Sequence, residues 1–239
     1  SLRLIGDLRA DGATYRALEF AGSTIENMTV ASRMTMANMA IEAGAKCALF
    51  TPDEKTAEYC NIELNDYQKS LVGDPDATYM RTITYKAEDF VPVMALPSQV
   101  DKIRNVSEVE GTEIDQVFIG SCTNGRLEDL QAAAEVLKGK KDADFVKLIV
   151  TPASRKIYKQ AADMGILTTL SEAGAIITHP GCGLCCGRTG GILSDGERVV
   201  ATNNRNFLGR MGTSKVEIYL ASPKTAASCA VAGKIVSPK

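Results

Sequence analysis

The second half of the chain alternates short apolar runs with amphipathic stretches, and this alternation restricts the possible folds most strongly. We predict strands at 116–120, 147–150, 175–177 and 216–220, with helices at 127–138, 154–164, 167–173 and 225–232. Strands that alternate with helices at this spacing indicate a largely parallel sheet with helices on its faces. In such sheets the working residues collect at the carboxyl ends of the strands. We therefore expect the functional residues just after these runs.

The first half also mixes both kinds of element. We predict a helix that ends in a turn at 10–12, strands at 14–20, 47–50, 79–85 and 91–96, and helices at 24–30, 33–45 and 52–62. Ser23 and Glu26 have the spacing of a capping box. The polar stretch 98–112 indicates a domain boundary near residue 113. The prediction is an α/β protein of two three-layer α/β/α domains with mainly parallel sheets, residues 1–113 and 114–239.

The composition excludes several classes of protein. The 239 residues carry a net charge near −2, which gives no electrostatic footprint for nucleic acid. No apolar run approaches the roughly 20 residues that cross a bilayer, and the first residues lack the layout of a signal peptide. Seven cysteines are an odd number for a disulfide framework. We therefore expect a cytoplasmic protein that uses some thiols for a metal or cluster, with Cys47 and Cys60 as inert core thiols.

One cysteine-rich loop has the sequence THPGCGLCCG and spans Thr178 to Gly187. Cys182 and Cys185 form a C-x-x-C pair that can reach one metal or cluster from a single turn of backbone. The surrounding glycines let the chain approach a bulky inorganic group without a clashing Cβ. Taken alone, this loop is compatible with zinc, a redox dithiol or an iron–sulfur cluster.

A third cysteine lies in GSCTNGR, Gly120 to Arg126, directly after a predicted strand. Thr123 or Asn124 is a natural N-cap, so an anion bound here would face helix N–H groups. The same field predicts a lowered thiolate pKa for Cys122, and a nucleophilic cysteine is one alternative. Three thiolates suit a cluster with one iron left free of protein. A zinc ion with His179 or Cys186 as its fourth ligand is the other alternative.

Two further pairs are candidates for substrate chemistry. Asn38 and Glu42 stand four apart and project from one side of a predicted helix. Arg205 and Arg210 lie in a glycine-containing loop and could clamp carboxylates bidentately. On spacing alone, Asn38 and Glu42 also fit a solvent-facing polar stripe, and an isolated pair such as Arg205 and Arg210 more often forms surface ion pairs.

Taken together, the segments GSCTNGR, PGCGLCCG, NRNFLGR and MANMAIEAGA resemble the aconitase superfamily. The spacing and the C-terminal ASPKTAASCAVAGKI are similar to large subunits of its two-subunit dehydratases. The resemblance implies a [4Fe–4S] cluster held by Cys122, Cys182 and Cys185, with Cys186 outside the ligand set. Such a cluster is oxygen-labile and can be absent from an aerobic preparation.

The resemblance also implies a reaction. It makes Asn38 and Glu42 catalytic, assigns Arg205 and Arg210 to substrate carboxylates, and places Asn204 in contact with the cluster. The implied activity is that of a hydro-lyase, which isomerises a small 2-hydroxy di- or tricarboxylic acid by dehydration and rehydration. An electron carrier or iron sensor would complete four protein ligands, and RNA recognition gains no support from the acidic pI of about 5.6.

The sequence also departs from the resembled family. Its large subunits begin with a further domain that carries active-site histidines and aspartates, and no segment here matches that domain. The single histidine, His179, lies inside the cysteine loop. The family's catalytic base is a serine on a swivelling domain or separate small subunit. We therefore expect a fragment that needs this small subunit and is inactive alone, with no membrane or nucleic-acid partner.

Overall fold

The protein, described from a computed structural model over residues 1–238, is of the α/β class with a mostly parallel sheet, as predicted. The strands are β1 Ala17–Phe20, β2 Cys47–Phe50, β3 Val93–Ala95, β4 Ile103–Asn105, β5 Gln116–Gly120, β6 Lys147–Thr151, β7 Ile176–Ile177, β8 Arg198–Ala201 and β9 Glu217–Leu220. The helices are α1 Leu2–Leu8, α2 Ser23–Asn27, α3 Val30–Met39, α4 Glu54–Cys60, α5 Asp66–Lys69, α6 Ser121–Asn124, α7 Leu127–Leu137, α8 Arg155–Asp163, α9 Ile166–Glu172 and α10 Pro223–Ala232. Short 3₁₀ turns follow at Ala40–Ala43, Ala87–Asp89, Val106–Glu108 and Gly183–Cys186.

Seven strands form one sheet in the order β4-β3-β9-β8-β5-β6-β7. Strands β9, β8, β5, β6 and β7 are parallel to one another, whereas β3 and β4 add antiparallel strands at one edge. Gly120 at the end of β5 is in register with Thr151 at the end of β6. The loops that follow β5, β6, β7 and β8 therefore leave the sheet at the same end, and they carry Cys122, Cys182, Cys185 and Cys186.

Each face of this sheet has its own core. Successive side chains of a strand point to opposite faces, so Val117 and Ile119 pack with α7, α9 and α10 on one side. Phe118 packs on the other side with Leu184 and Cys185 of the cysteine loop. The first face is covered by helices, and the second is covered largely by the loops that carry the candidate site.

The first ninety residues are built differently. Strands β1 and β2 form a two-stranded parallel sheet in which Phe20 stacks on Phe50, with ring centroids 5.0 Å apart. The buried cluster beneath it contains only Leu8 and a few alanines. Helix α3 begins at the N-cap Thr29, and the following 3₁₀ turn ends at Gly44, whose φ of 83° is left-handed. Gly44 thus ends this helical segment.

Several local predictions were wrong. The stretch 79–85 forms no strand, because no neighbouring strand pairs with it and all of its residues except Ile83 are exposed. The side chain of Ser23 makes no capping bond, since Gly22 is the N-cap of α2. Cys47 and Cys60 are exposed rather than core residues. Among residues 1–238, no helix has the length and apolar character needed to span a membrane.

Two strands were missed. Strand β8 lies in the middle of the large sheet. The short β4 lies at its edge, within the polar stretch 98–112 that predicted a domain boundary. Strands β3 and β4 precede residue 113 and still belong to the sheet of the second half. The division into 1–113 and 114–239 stays a prediction.

Candidate functional site

Cys122 lies in a sharp turn at the carboxyl end of β5. Gly120 has a φ of 139° and Ser121 a φ of 66°, so the chain turns abruptly into the one-turn helix α6. Only glycine fits at position 120, because a Cβ there would overlap the carbonyl of Thr151 on the next strand. The N-cap of α6 is Gly120, which corrects the prediction of Thr123 or Asn124. This geometry leaves the side chain of Cys122 exposed.

The neighbouring strand β8 holds this turn in place. The backbone N–H of Gly120 donates to Oγ1 of Thr202 (2.9 Å), and Nδ2 of Asn124 donates to the carbonyl of Thr202 (2.6 Å). Thr202 directly follows β8 and is fully buried. The cysteine turn and the segment that begins at Asn203 therefore lie side by side.

The second cysteine segment follows β7. The hydroxyls of Thr178 and Thr151 are hydrogen-bonded at 2.6 Å, which ties the start of this loop to the end of β6. Gly183 has a left-handed φ of 56°, and a Cβ there would overlap the side chain of Thr151. The turn that follows buries Leu184 and Cys185 against the sheet, whereas Cys182 stays exposed. Leu184 and Cys185 thus anchor the loop in the core, while Cys182 lies at the surface.

The thiols are close enough to influence one another. Burial raises the pKa of the Cys182 thiol, and neighbouring thiols raise this pKa further. These neighbours are Cys122, Cys185 and Cys186, and the Arg210 guanidinium acts in the opposite direction. Within residues 1–238, no three His, Cys, Asp or Glu side chains converge closely enough to hold a single metal ion. Cluster thiolates bind different iron atoms, so they are spread more widely than the ligands of one ion.

Helix α3 and the 3₁₀ turn after it bring two polar side chains to this end of the sheet. Nδ2 of Asn38 donates to Oγ1 of Thr123 (3.1 Å) and lies 3.6 Å from Sγ of Cys122. One turn later, Oε1 of Glu42 accepts hydrogen bonds from Nδ2 of Asn204 and from Nε of Arg205, both at 2.8 Å. The side chain of Glu42 is only 12% exposed. Asn38 and Glu42 therefore face the second half of the chain and do not form a solvated stripe.

The loop after β8 supplies the two arginines. Arg205 is ion-paired with Glu42 through Nε. Arg210 donates from Nε to the carbonyl of Cys185 (2.5 Å), and its Nη2 lies 3.6 Å from Sγ of the same residue. Its guanidinium also lies 5.4 Å from the ring centroid of Phe207. Each arginine contacts another part of the candidate site.

Residues that the sequence reasoning missed connect α3 to the cysteine turn. Nη1 of Arg126 donates to Oγ1 of Thr35 (2.8 Å) and to the carbonyl of Thr123 (2.7 Å). Oγ1 of Thr35 donates to the same carbonyl (2.7 Å). Polar residues recur along α3 at 29, 32, 35, 38 and then 42, and this three-to-four spacing was the available signal.

His179 faces another environment. It lines a cleft of about 380 Å³ with Arg155, Tyr158 and Pro180.

Contacts alone do not test a role, so the predicted roles of the site residues stay predictions. These residues are Cys122, Cys182, Cys185, Asn38, Glu42, Asn204, Arg205 and Arg210.

Comparison with known proteins gives a consistent answer. The family profile described as the aconitase family (aconitate hydratase) matches residues 1–233. The chain is 51% identical over 239 residues to "3-isopropylmalate dehydratase large subunit 2" of Archaeoglobus fulgidus, covering all of this chain and 58% of that protein. It is 50% identical over 238 residues to "3-isopropylmalate dehydratase large subunit 1" of Methanopyrus kandleri, covering all of this chain and 57% of the relative. A Thermotoga maritima protein, "3-isopropylmalate dehydratase large subunit 1", is 52% identical over 235 residues, 97% of this chain and 56% of its own.

The chain thus spans less than two thirds of the length of the curated relatives it matches. The match nevertheless includes both cysteine segments, helix α3 and the arginine loop. The chain belongs to the aconitase family.

Proposed function

We propose that this chain is the cluster-bearing part of a 3-isopropylmalate dehydratase, a hydro-lyase of leucine biosynthesis. The overall reaction removes water from 2-isopropylmalate to give an alkene acid and returns water to the adjacent carbon to give 3-isopropylmalate. The observation that carries this proposal is the meeting of Cys122 with Asn38 at one end of the sheet, beside the Glu42–Arg205 pair. The names of the three relatives give the substrate. Homoaconitase, which acts on a longer hydroxy acid, is the alternative.

The donor set fits a [4Fe–4S] cluster. Cys122, Cys182 and Cys185 would hold it, and three thiolates leave one iron without a protein ligand. When bound, this iron supplies Lewis-acid chemistry for a substrate hydroxyl and carboxylate. Cys186 stays outside the proposed ligand set, and its thiol lies 3.7 Å from the carbonyl of Gly183.

Glu42 is suited to manage the proton of the departing hydroxyl. Both of its hydrogen bonds are made by Oε1, and Oε2 makes none within residues 1–238. The neighbouring Asn204 and Arg205 hold the carboxylate in one orientation, so Oε2 is the atom left to exchange a proton. Asn38 places an amide beside Cys122, where it orients the oxygen of the substrate hydroxyl.

The arginines are suited to substrate carboxylates. Arg205 uses only Nε on Glu42, and its two terminal nitrogens form no hydrogen bond within residues 1–238. These two nitrogens form the fork that binds a carboxylate bidentately. Arg210 has Nη1 left after its bonds to Cys185. Each guanidinium is thereby fixed at one end and can bind substrate with the other.

The remaining groups of the reaction belong to partners. We propose a separate small subunit that supplies the base which removes the substrate proton, in keeping with the "large subunit" names of the relatives. We also propose a cytoplasmic location. Without the small subunit and the further length of the relatives, this chain should show no turnover.

Anaerobic reconstitution with iron and sulfide tests the proposal directly. We expect the absorbance and EPR signals of one cluster per chain, which Cys182→Ser abolishes. Cys186→Ser is the matched control, because it removes a thiol four positions away and should leave the cluster intact. One zinc ion per chain that resists replacement by iron and sulfide would overturn the cluster assignment. Isomerase activity of the chain alone would show that no essential group lies elsewhere.

A further inference from the structure

Arg126 is a buried cation without an acidic partner. Its residue is 7% exposed, and none of the ion pairs within residues 1–238 includes it. Buried charges in proteins are normally paired with a charge of the opposite sign unless they coordinate a metal, which a guanidinium does not do. Arg33 shows the normal arrangement, since it is 4% exposed and its Nη2 lies 2.6 Å from Oδ2 of Asp53. The charge of Arg126 therefore indicates an anion that binds nearby.

The two acids that follow Arg126 in the sequence do not supply this anion. Glu128 accepts instead from the hydroxyls of Thr29 and Ser32 at the start of α3. Asp129 uses Oδ2 to accept the backbone N–H of Arg126 (3.0 Å) and makes no ion pair with its guanidinium. Burial raises the pKa of the Asp129 carboxyl to about 6, although the Arg126 backbone and charge partly oppose this shift. Asp129 is thus engaged in capping α7.

The guanidinium closes a triangle of hydrogen bonds. Nη1 of Arg126 donates to Oγ1 of Thr35 and to the carbonyl of Thr123, and the Thr35 hydroxyl donates to that same carbonyl. All three distances are 2.7 or 2.8 Å. The Thr123 carbonyl has two lone pairs and both are used, so the three groups determine each other's positions.

This triangle lies directly behind the candidate site. Thr123 is the residue after Cys122, and Thr35 is one helical turn before Asn38. The amide of Asn38 contacts both Thr123 and Cys122. A displacement of α3 relative to the cysteine turn would break the triangle and would also move Asn38 away from the thiol. Arg126 is therefore placed to hold the two halves of the site together.

We propose that Arg126 is a positioning residue of the cysteine site, which locks helix α3 to the Cys122 turn and supplies the buried positive charge that a thiolate-bound cluster requires. The proposal rests on the proposed function, because the anion it names is the cluster. A [4Fe–4S]²⁺ core with three thiolates is a net anion. The positive charge stabilises this anion and should favour the addition of an electron to it.

Two substitutions separate the geometric role from the charge. Arg126→Gln removes both, and Arg126→Lys keeps the charge but not the planar fork. After anaerobic reconstitution, we expect Arg126→Gln to lose iron to a chelator about 10-fold faster than the unsubstituted chain, as for other residues that orient metal ligands. Its cluster potential, from an EPR-monitored titration, should shift to more negative values. Arg126→Lys should lose iron faster with its potential close to that of the unsubstituted chain.

Arg33→Lys is the matched control, since it alters a buried arginine that anchors the same helix on its other side. It should lower the melting temperature without changing the cluster potential. If Arg126→Gln does not fold, Thr35→Val removes one corner of the triangle with the charge in place and should accelerate iron loss alone. Equal behaviour of the Arg126 variants and Arg33→Lys would overturn this inference while the proposed function stands. Failure of the unsubstituted chain to take up a cluster would overturn both.

Discussion

The two regions of the molecule on either side of residue 92 are held together by different means. Residues 93–238 bury a continuous core on each face of the seven-stranded sheet. Residues 1–91 bury one small cluster of mainly alanines. Two thirds of the exposed large apolar side chains described in the structure lie in this first region. The hydrophobic effect therefore stabilises the second region far more than the first.

This difference assigns different tasks to the two regions. The second region holds the cysteines and arginines on loops that are anchored in its core. The first region contributes Asn38 on α3 and Glu42 on the 3₁₀ turn that follows it, and polar contacts hold this segment against the second region. We call the contact of residues 29–42 with the loops of the second region the seam. A site assembled across this seam depends on directional hydrogen bonds, whose net contribution to stability is about 1 kcal/mol each. Small losses at the seam should therefore disturb the site before they unfold the sheet.

The largest expected effect compares one apolar side chain from each region. Phe118 is fully buried at the centre of the sheet, whereas Leu49 on β2 is 53% exposed. Phe118→Ala should lower the free energy of unfolding by about 3–5 kcal/mol, since it removes the transfer energy of the ring and leaves a cavity. Leu49→Ala should cost less than about 1 kcal/mol. Denaturant unfolding of both variants measures the difference.

Phe118→Leu serves as a control for the cavity, because it keeps an apolar group in the same position and should cost less than Phe118→Ala. Equal losses for Phe118→Ala and Leu49→Ala would contradict the comparison. They would mean that the first region is packed as tightly as the second.

The seam itself should be the next most sensitive place. In the proposed dehydratase, Glu42→Gln should lower kcat by about 100-fold or more, because the amide cannot exchange the proton of a hydroxyl. The amide oxygen can still accept from Asn204, so the melting temperature should change little. The measurement is steady-state isomerisation of 3-isopropylmalate by the chain joined to the further length of its relatives and the small subunit.

Glu128→Gln is the matched control for this experiment. Oε1 of Glu128 accepts from the hydroxyls of Thr29 and Ser32 (both 2.9 Å) at the start of α3, so it makes the same chemical change at the same seam. It lies away from the cysteines and should leave kcat within a few-fold of the unsubstituted enzyme. A comparable loss in both variants would show that Glu42 acts only by holding the helix.

The sequence predicted much of the second region and less of the first. Strands β5 and β6 and helix α7 were predicted because each buries a regular apolar pattern against the core. Strand β8 was missed because only four residues lie between a turn and a polar loop. The apolar alternation at 79–85 failed as a signal because local pattern does not supply a partner strand.

The same distinction applies to the site. The cysteine pair and the two arginines were found from short spacings within one segment. The contact between Arg126 and Thr35 joins residues 91 positions apart, and no local pattern encodes that meeting. Cys47 was interpreted as buried because its strand is apolar, yet a two-stranded sheet leaves both faces partly open. The residue types of a candidate site can be read from a short segment of sequence. The burial of a residue depends on which other elements of the fold cover it.

The smallest expected effect concerns the ion pair between Arg33 and Asp53 in the first region. A hydrogen bond from Arg33 holds the pKa of the Asp53 carboxyl at about 2, below its usual 3.8, against a smaller opposing effect of burial. Because this folded-state pKa is depressed, the stabilisation is present above about pH 4 and is lost as the pH falls towards 2. The Asp53 side chain is 34% exposed, so we expect this contribution to be on the order of 1 kcal/mol. Asp53→Asn should therefore unfold more easily than the unsubstituted chain at pH 6, with a difference that narrows below pH 4.

Asp163→Asn is the control, because its pair with Lys159 (2.6 Å) is exposed and should contribute little at any pH. A difference for Asp53→Asn that stays constant from pH 6 to pH 2 would show that the loss comes from packing around Arg33 and not from the charge of Asp53.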